Sequence, residues 1–129
     1  MLITLDFETY FDKDYTLRKM STSEYVRDPR FEALSCSIKK GKFKPVCYFG
    51  HAKIKEAIEK IDWTKATLLA HHTQFDGLIL NHHFKKTPAR RACTLSMARA
   101  LHAQLERNDL ATVALRYGVT NKREMPDFK

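Results

Sequence analysis

The chain has 129 residues, 43% of them hydrophobic and 11% aromatic, which is material for one compact domain with a core and too little for two. A formal charge of +8 at pH 7 favours a polyanionic partner, because clustered Lys and Arg gain affinity by releasing counterions from phosphates. No apolar run is long enough to span a bilayer, the opening reaches acid too soon for a secretory signal, and Cys36, Cys47 and Cys93 match neither a metal-finger spacing nor a disulfide framework; the expectation is a soluble, cytoplasmic protein with no membrane partner.

In chain order, Met1 to Leu5 is an apolar, β-prone run that stops at Asp6, as a buried strand does when it delivers a carboxylate at its end. Residues 10–30 are a polar excursion with isolated apolar residues, short helical pieces and a closing Asp28-Pro29 turn. Phe31 to Ile38 and Phe43 to Phe49 read as two strands joined across Lys39 to Lys42. His51 to Ile61 carries Ile54, Ala57, Ile58 and Ile61 at helical spacing. Thr67 to Ala70 is a further strand, followed by a helix with Phe75, Leu78, Ile79 and Phe84 as its apolar positions and Thr87-Pro88 at its end. Ala92-Cys93 closes another short strand. Thr94 is placed to cap a helix through Leu101, and Leu110 to Tyr117 forms a last helix stopped by Gly118. Residues 120–129 lack a buried face and read as a mobile tail. The order is α/β with an antiparallel start, in one domain spanning 1–129.

Asp6 and Glu8 stand two apart in an extended segment, so both project to one face and can converge on one cation. Carboxylate oxygens suit Mg²⁺ or Mn²⁺, which hold phosphate oxygens and activate water. Two ordinary acids at a solvated strand end are the plainer alternative. Asp76 follows an apolar strand and a polar turn, in the early turns of its helix; if that strand runs parallel to the first, the acid arrives beside Asp6 and Glu8. An acid favourably placed near a helix amino terminus is the alternative here.

Leu5-Asp6-Phe7-Glu8-Thr9 resembles the first motif of the DEDD-type 3′-5′ exonucleases, and His71 to Asp76 resembles their second. Thr94 to Leu101 is similar to the helix that follows in members associated with bacteriophage and bacterial DNA polymerases, where they proofread. The resemblance implies an RNase H-like mixed sheet with flanking helices. It also implies two Mg²⁺ or Mn²⁺ ions that activate water against the 3′-terminal phosphodiester of single-stranded DNA. By it, Asp6, Glu8 and Asp76 are the catalytic and metal-holding residues, while Thr9, His72 and Phe75 contact the substrate. His72 stands where the second motif usually has Asn, and Cys93 where an Asp often precedes Thr-Leu. The third motif, a Tyr or His shortly before a last Asp, has no counterpart after Tyr117, so the fold is expected to be truncated at its carboxyl end and completed by a missing segment, a DNA polymerase or a complementing chain. A binding or interaction protein with a nuclease fold is the second reading. A zinc site among His71, His72, His82 and His83 is a third, weakened because adjacent helical side chains diverge.

Overall fold

A computed structural model describes residues 1–102 and 107–119. Five strands, β1 (Leu2–Thr9), β2 (Ala33–Lys40), β3 (Val46–Phe49), β4 (Thr67–Ala70) and β5 (Arg90–Cys93), form one mixed sheet in the order β3-β2-β1-β4-β5. β1, β2 and β3 pair antiparallel, whereas β4 and β5 run parallel to β1 and to each other. The crossover from β4 to β5 is a helix, as parallel neighbours require.

Alternation along β1 buries Ile3, Leu5 and Phe7 on one face and turns Thr4, Asp6 and Glu8 to the other. The buried face continues through Cys36 and Ile38 of β2 and Leu68 of β4, which stand opposite Phe7, Leu5 and Ile3 in register. Against it lie α2 (His51–Glu59), which contributes Ile54, Ala57 and Ile58, and α3 (Thr73–Phe84), which contributes Ile79, Leu80 and Phe84. Phe84 stacks on Phe7 at 6.0 Å and on His51 at 5.2 Å. Trp63, in a single 3₁₀ turn (Trp63–Lys65), is 3% exposed and donates its indole N–H to the Ile58 carbonyl at 3.0 Å, so it anchors the core as expected.

The 10–30 excursion is more ordered than its composition suggests. It contains α1 (Thr22–Arg27), opened by a capping box in which Ser21 accepts from the Glu24 N–H and Glu24 accepts from the Ser21 N–H. Tyr15 and Tyr25 are buried and stack at 4.4 Å, the Tyr15 hydroxyl donating to the Tyr25 carbonyl at 2.5 Å.

At the carboxyl end, α4 (Thr94–Leu101) packs beside β4, and α5 (Leu110–Arg116) is capped by Asp109, whose carboxylate accepts from the Thr112 N–H. Three expectations are corrected. The first strand runs on through both acids to Thr9, because β2 continues to pair with it. The α3 helix stops at Phe84 on a left-handed Lys85, three residues before Pro88. Cys93 is the residue that begins α4, while Thr94 is already helical and turns its hydroxyl to His71 and the Ala70 carbonyl. The 120–129 tail lies outside the described residues, and no described helix is long and apolar enough to cross a membrane.

Candidate metal centre

The parallel ladder between β1 and β4 covers Leu2 to Thr4, and β4 then turns away at Ala70. Beyond that point the β1 backbone facing β4 has no strand partner among the described residues. Asp76, one turn into α3, fills the gap: its Oδ1 accepts the Phe7 N–H at 3.4 Å. The bond fixes a carboxylate between Asp6 and Glu8 along the chain, where strand spacing alone would leave an orphan donor.

Asp6 is exposed and Glu8 half-buried on the face opposite Phe7, each across from a serine of β2, Ser37 and Ser35 respectively. The register slips between Glu8 and Thr9, so a bulge bends the strand just past the second acid. Asp76 is 6% exposed. Burial raises its carboxyl to about 7, the Phe7 N–H opposes the rise, and the negative charge of Asp6 adds to it. Asp76 therefore senses the charge of Asp6 across the end of β1.

Hard carboxylate oxygens on three side chains are the donors a divalent cation such as Mg²⁺ takes, and the two acids that repel each other are the pair such a charge would reconcile. Among the described residues, however, no three His, Cys, Asp or Glu side chains are gathered tightly enough to hold one ion as they stand. The donor chemistry fits; a compact three-acid cluster is not formed in this conformation.

Thr9, Phe75 and His72, the residues expected to contact substrate, each have partners within the protein. The Tyr25 hydroxyl donates to the Tyr10 carbonyl at 2.5 Å, so the Thr9 hydroxyl is the donor in its 2.8 Å bond to Tyr25. Thr9 thus ties the excursion to the end of β1. Phe75 packs against the core and meets the Tyr25 ring at 6.0 Å, with the His72 ring at 6.3 Å and nearly parallel. Burial first, then the charge of Arg99, holds the His72 imidazole below its ordinary pKa, so it is neutral at pH 7.

His71 bridges two segments, its Nδ1 at 2.8 Å from the Thr94 hydroxyl and its Nε2 donating to the Asn108 carbonyl at 2.7 Å. His83 donates to the Val26 carbonyl at 2.6 Å and stacks on Phe31. Both act as packing and bridging residues within the protein. Sequence reasoning did not single out Arg99 or the bridging role of Tyr25, since neither depends on local spacing. Cys93 is pushed up by burial, yet hydrogen bonds from Ser96 and Thr73 outweigh this and bring its thiol down to about 7.

No protein-family model and no curated protein matches the chain. Solved structures do. "Brucella melitensis NrnC bound to pGG" superposes with a TM-score of 0.70 at 19% identity over 98% of this chain and 57% of that one. "Brucella melitensis NrnC with bound Mg2+" gives 0.65 at 16% identity over 96% and 57%. A structure described as the apo form of a nuclease gives 0.62 at 16% identity over 89% and 50%. The chain spans little more than half the length of these proteins, and at such identity the likeness establishes the fold: a five-stranded mixed sheet flanked by helices, as in the NrnC structures.

Proposed function

We propose that this chain is the metal-binding part of a DEDD-type 3′-5′ exonuclease that hydrolyses the terminal phosphodiester of single-stranded DNA. The observation that carries the reading is the meeting of Asp76 with β1, its carboxylate on the Phe7 N–H between Asp6 and Glu8 and under the influence of the Asp6 charge. The NrnC neighbours with bound pGG and bound Mg²⁺ support a nucleic-acid substrate and a divalent metal.

In this reading Asp6, Glu8 and Asp76 are the residues that would hold two Mg²⁺ or Mn²⁺ ions. The ions supply Lewis acidity and lower the pKa of the attacking water when bound. Exposed Asp6 would offer its carboxylate to metal from the solvent side, while buried Asp76 would anchor the arrangement to the backbone of β1. Asp76 is buried, Phe75 packs on the core, and the neutral His72 ring would offer the substrate a surface that does not neutralise the acids. Residues 1–129 act as one unit, the remaining carboxylate coming from a further segment, a DNA polymerase or a complementing chain, as in a proofreading exonuclease.

The test is mononucleotide release from the 3′ end of a single strand with Mg²⁺ or Mn²⁺, comparing the chain with Asp6→Ala. Release that disappears with the substitution supports the reading; release that persists refutes Asp6 as a ligand. A second reading, a nucleic-acid-binding protein that keeps the nuclease fold, is favoured by the lack of a compact three-acid cluster among the described residues. It predicts salt-sensitive strand binding with no release under any metal.

A further inference from the structure

A cleft of about 380 Å³ opens at the carboxyl end of β4, lined by His71, His72, Leu95, Arg99, Asn108 and Asp109. Its volume lies in the ~300–1,000 Å³ range of small-molecule sites. Several of its groups are already engaged. His71 bonds Thr94 and the Asn108 carbonyl, the Asn108 side-chain oxygen accepts from Arg116 at 2.7 Å, and the Asp109 carboxylate caps α5 while pairing with Arg107 at 3.2 Å. What the cleft leaves to a ligand is the Arg99 guanidinium, the half-buried Leu95 and the face of the His72 ring.

Arg99 is exposed and makes no ion pair or hydrogen bond among the described residues. A guanidinium presents a planar fork of donors suited to a phosphate. The His72 imidazole, neutral and parallel to Phe75, together with Leu95 offers the flat and apolar surfaces on which a base can stack. The volume of the cleft suits one nucleotide unit. His72 is the N-cap residue of α3, four residues before Asp76, so the cleft lies at the start of the helix that carries the acid.

We propose that this cleft is a subsite for one nucleotide of the bound strand, with Arg99 holding its phosphate and His72 and Leu95 flanking its base. The inference rests on the exonuclease reading above and adds a substrate-binding residue to it. The experiment is fluorescence anisotropy with a 5′-labelled octathymidylate over a range of KCl concentrations, with Ca²⁺ in place of Mg²⁺, on the wild-type chain, Arg99→Gln and Arg99→Lys. Arg99→Gln is expected to weaken binding about tenfold and to flatten the logarithmic salt slope by about 0.7, the share of one phosphate contact on a single strand, while Arg99→Lys keeps the slope. In parallel, the His72 ring resonances of the wild type should shift on adding the oligonucleotide, and should shift less in Arg99→Gln. Wild-type binding with an unchanged affinity and slope in Arg99→Gln overturns the subsite and leaves the exonuclease reading standing. The same slope loss in Arg99→Lys overturns the phosphate role. No binding by the wild type overturns the exonuclease reading, and the subsite with it.

Discussion

Replacing Asp76 with Asn should make the metal-free protein more stable. The carboxyl is 6% exposed, and burial together with the Asp6 charge raises it from 3.8 to about 7. A carboxyl whose folded pKa is raised weakens folding as pH climbs: the unfolded chain loses the proton near pH 4 while the folded chain keeps it until about 7. About three pKa units at 1.36 kcal/mol each give a cost of roughly 4 kcal/mol at pH 8 and almost none at pH 4. Asn keeps an oxygen to accept the Phe7 N–H and carries no charge, so it removes most of that cost. Urea denaturation in EDTA should show Asp76→Asn more stable by about 2–4 kcal/mol at pH 8, with the two proteins converging at pH 4. Adding Mg²⁺ should then raise the melting temperature of the wild type and leave that of the variant unmoved, since ligand binding stabilises only the form that holds it. A variant equal to or weaker than the wild type at pH 8 in EDTA would refute the claim that folding confines a carboxylate against its ionisation at the end of β1.

Three other outcomes are expected. Tyr25→Phe keeps the ring stack on Tyr15 but removes the hydroxyl shared by Thr9 and the Tyr10 carbonyl; it should cost about 1–3 kcal/mol in chemical denaturation, and a loss under 0.5 kcal/mol would show that water replaces those bonds at no cost. Gly77→Ala places a methyl 3.1 Å from the Arg91 guanidinium, the movable end of an exposed side chain, so the helix-propensity gain should prevail and raise stability by about 0.5–1 kcal/mol; a loss would mean that Arg91 cannot yield. Burial, with neighbouring His82, His51 and Lys85, depresses the His83 pKa against the bond to Val26; the stability His83 contributes should therefore be full above about pH 6.5 and be lost as pH drops below it, where the unfolded chain takes up a proton that the folded one resists. His83→Gln retains an N–H for the Val26 carbonyl and should flatten the decline between pH 7.5 and 5.5; an unaltered slope would assign the pH dependence elsewhere, His72 first.

Much of the frame was legible because it is local. The β4 strand, Thr67–Ala70, falls where the apolar run between Lys65 and His71 predicts it, and the start of α2 at His51 and the stop of α5 before Gly118 follow from periodicity and from a glycine at φ 71°. The length of β1 was not legible, because Asp6 and Glu8 read as the end of an apolar run when viewed alone. They are held in strand geometry by β2, whose Ser37 and Ser35 stand opposite them, and nothing in residues 1–9 encodes that partner. Tyr15 and Tyr25 stand out as large aromatics in a polar segment, and both are buried as a core reading expects, but ten residues apart they have no period to name their partners, and those of Tyr25, Phe31 and Phe75, lie outside the segment.

The candidate site divides along the same line. That Asp6 and Glu8 share a face follows from the two-residue repeat of a strand and needs no tertiary information. That Asp76 joins them depends on β4 being parallel to β1 and shorter at its carboxyl end, so that a helix start occupies the place of missing strand residues. At Thr9 the fold adds a partner that position along the chain does not reveal. Its neighbourhood to the acids made it a substrate contact by resemblance, yet its hydroxyl donates to Tyr25 and secures the excursion that borders the site. Position along the chain brought Thr9 to the site; the Tyr25 hydroxyl, sixteen residues on and already donating to the Tyr10 carbonyl, decides what the threonine proton does there. A substrate that displaced this bond would have to loosen the tyrosine stack beneath it, so Thr9→Val should first be read in the stability of the 10–30 segment, by hydrogen exchange at Tyr15 and Tyr25, before any change in nucleotide release is attributed to lost substrate contact.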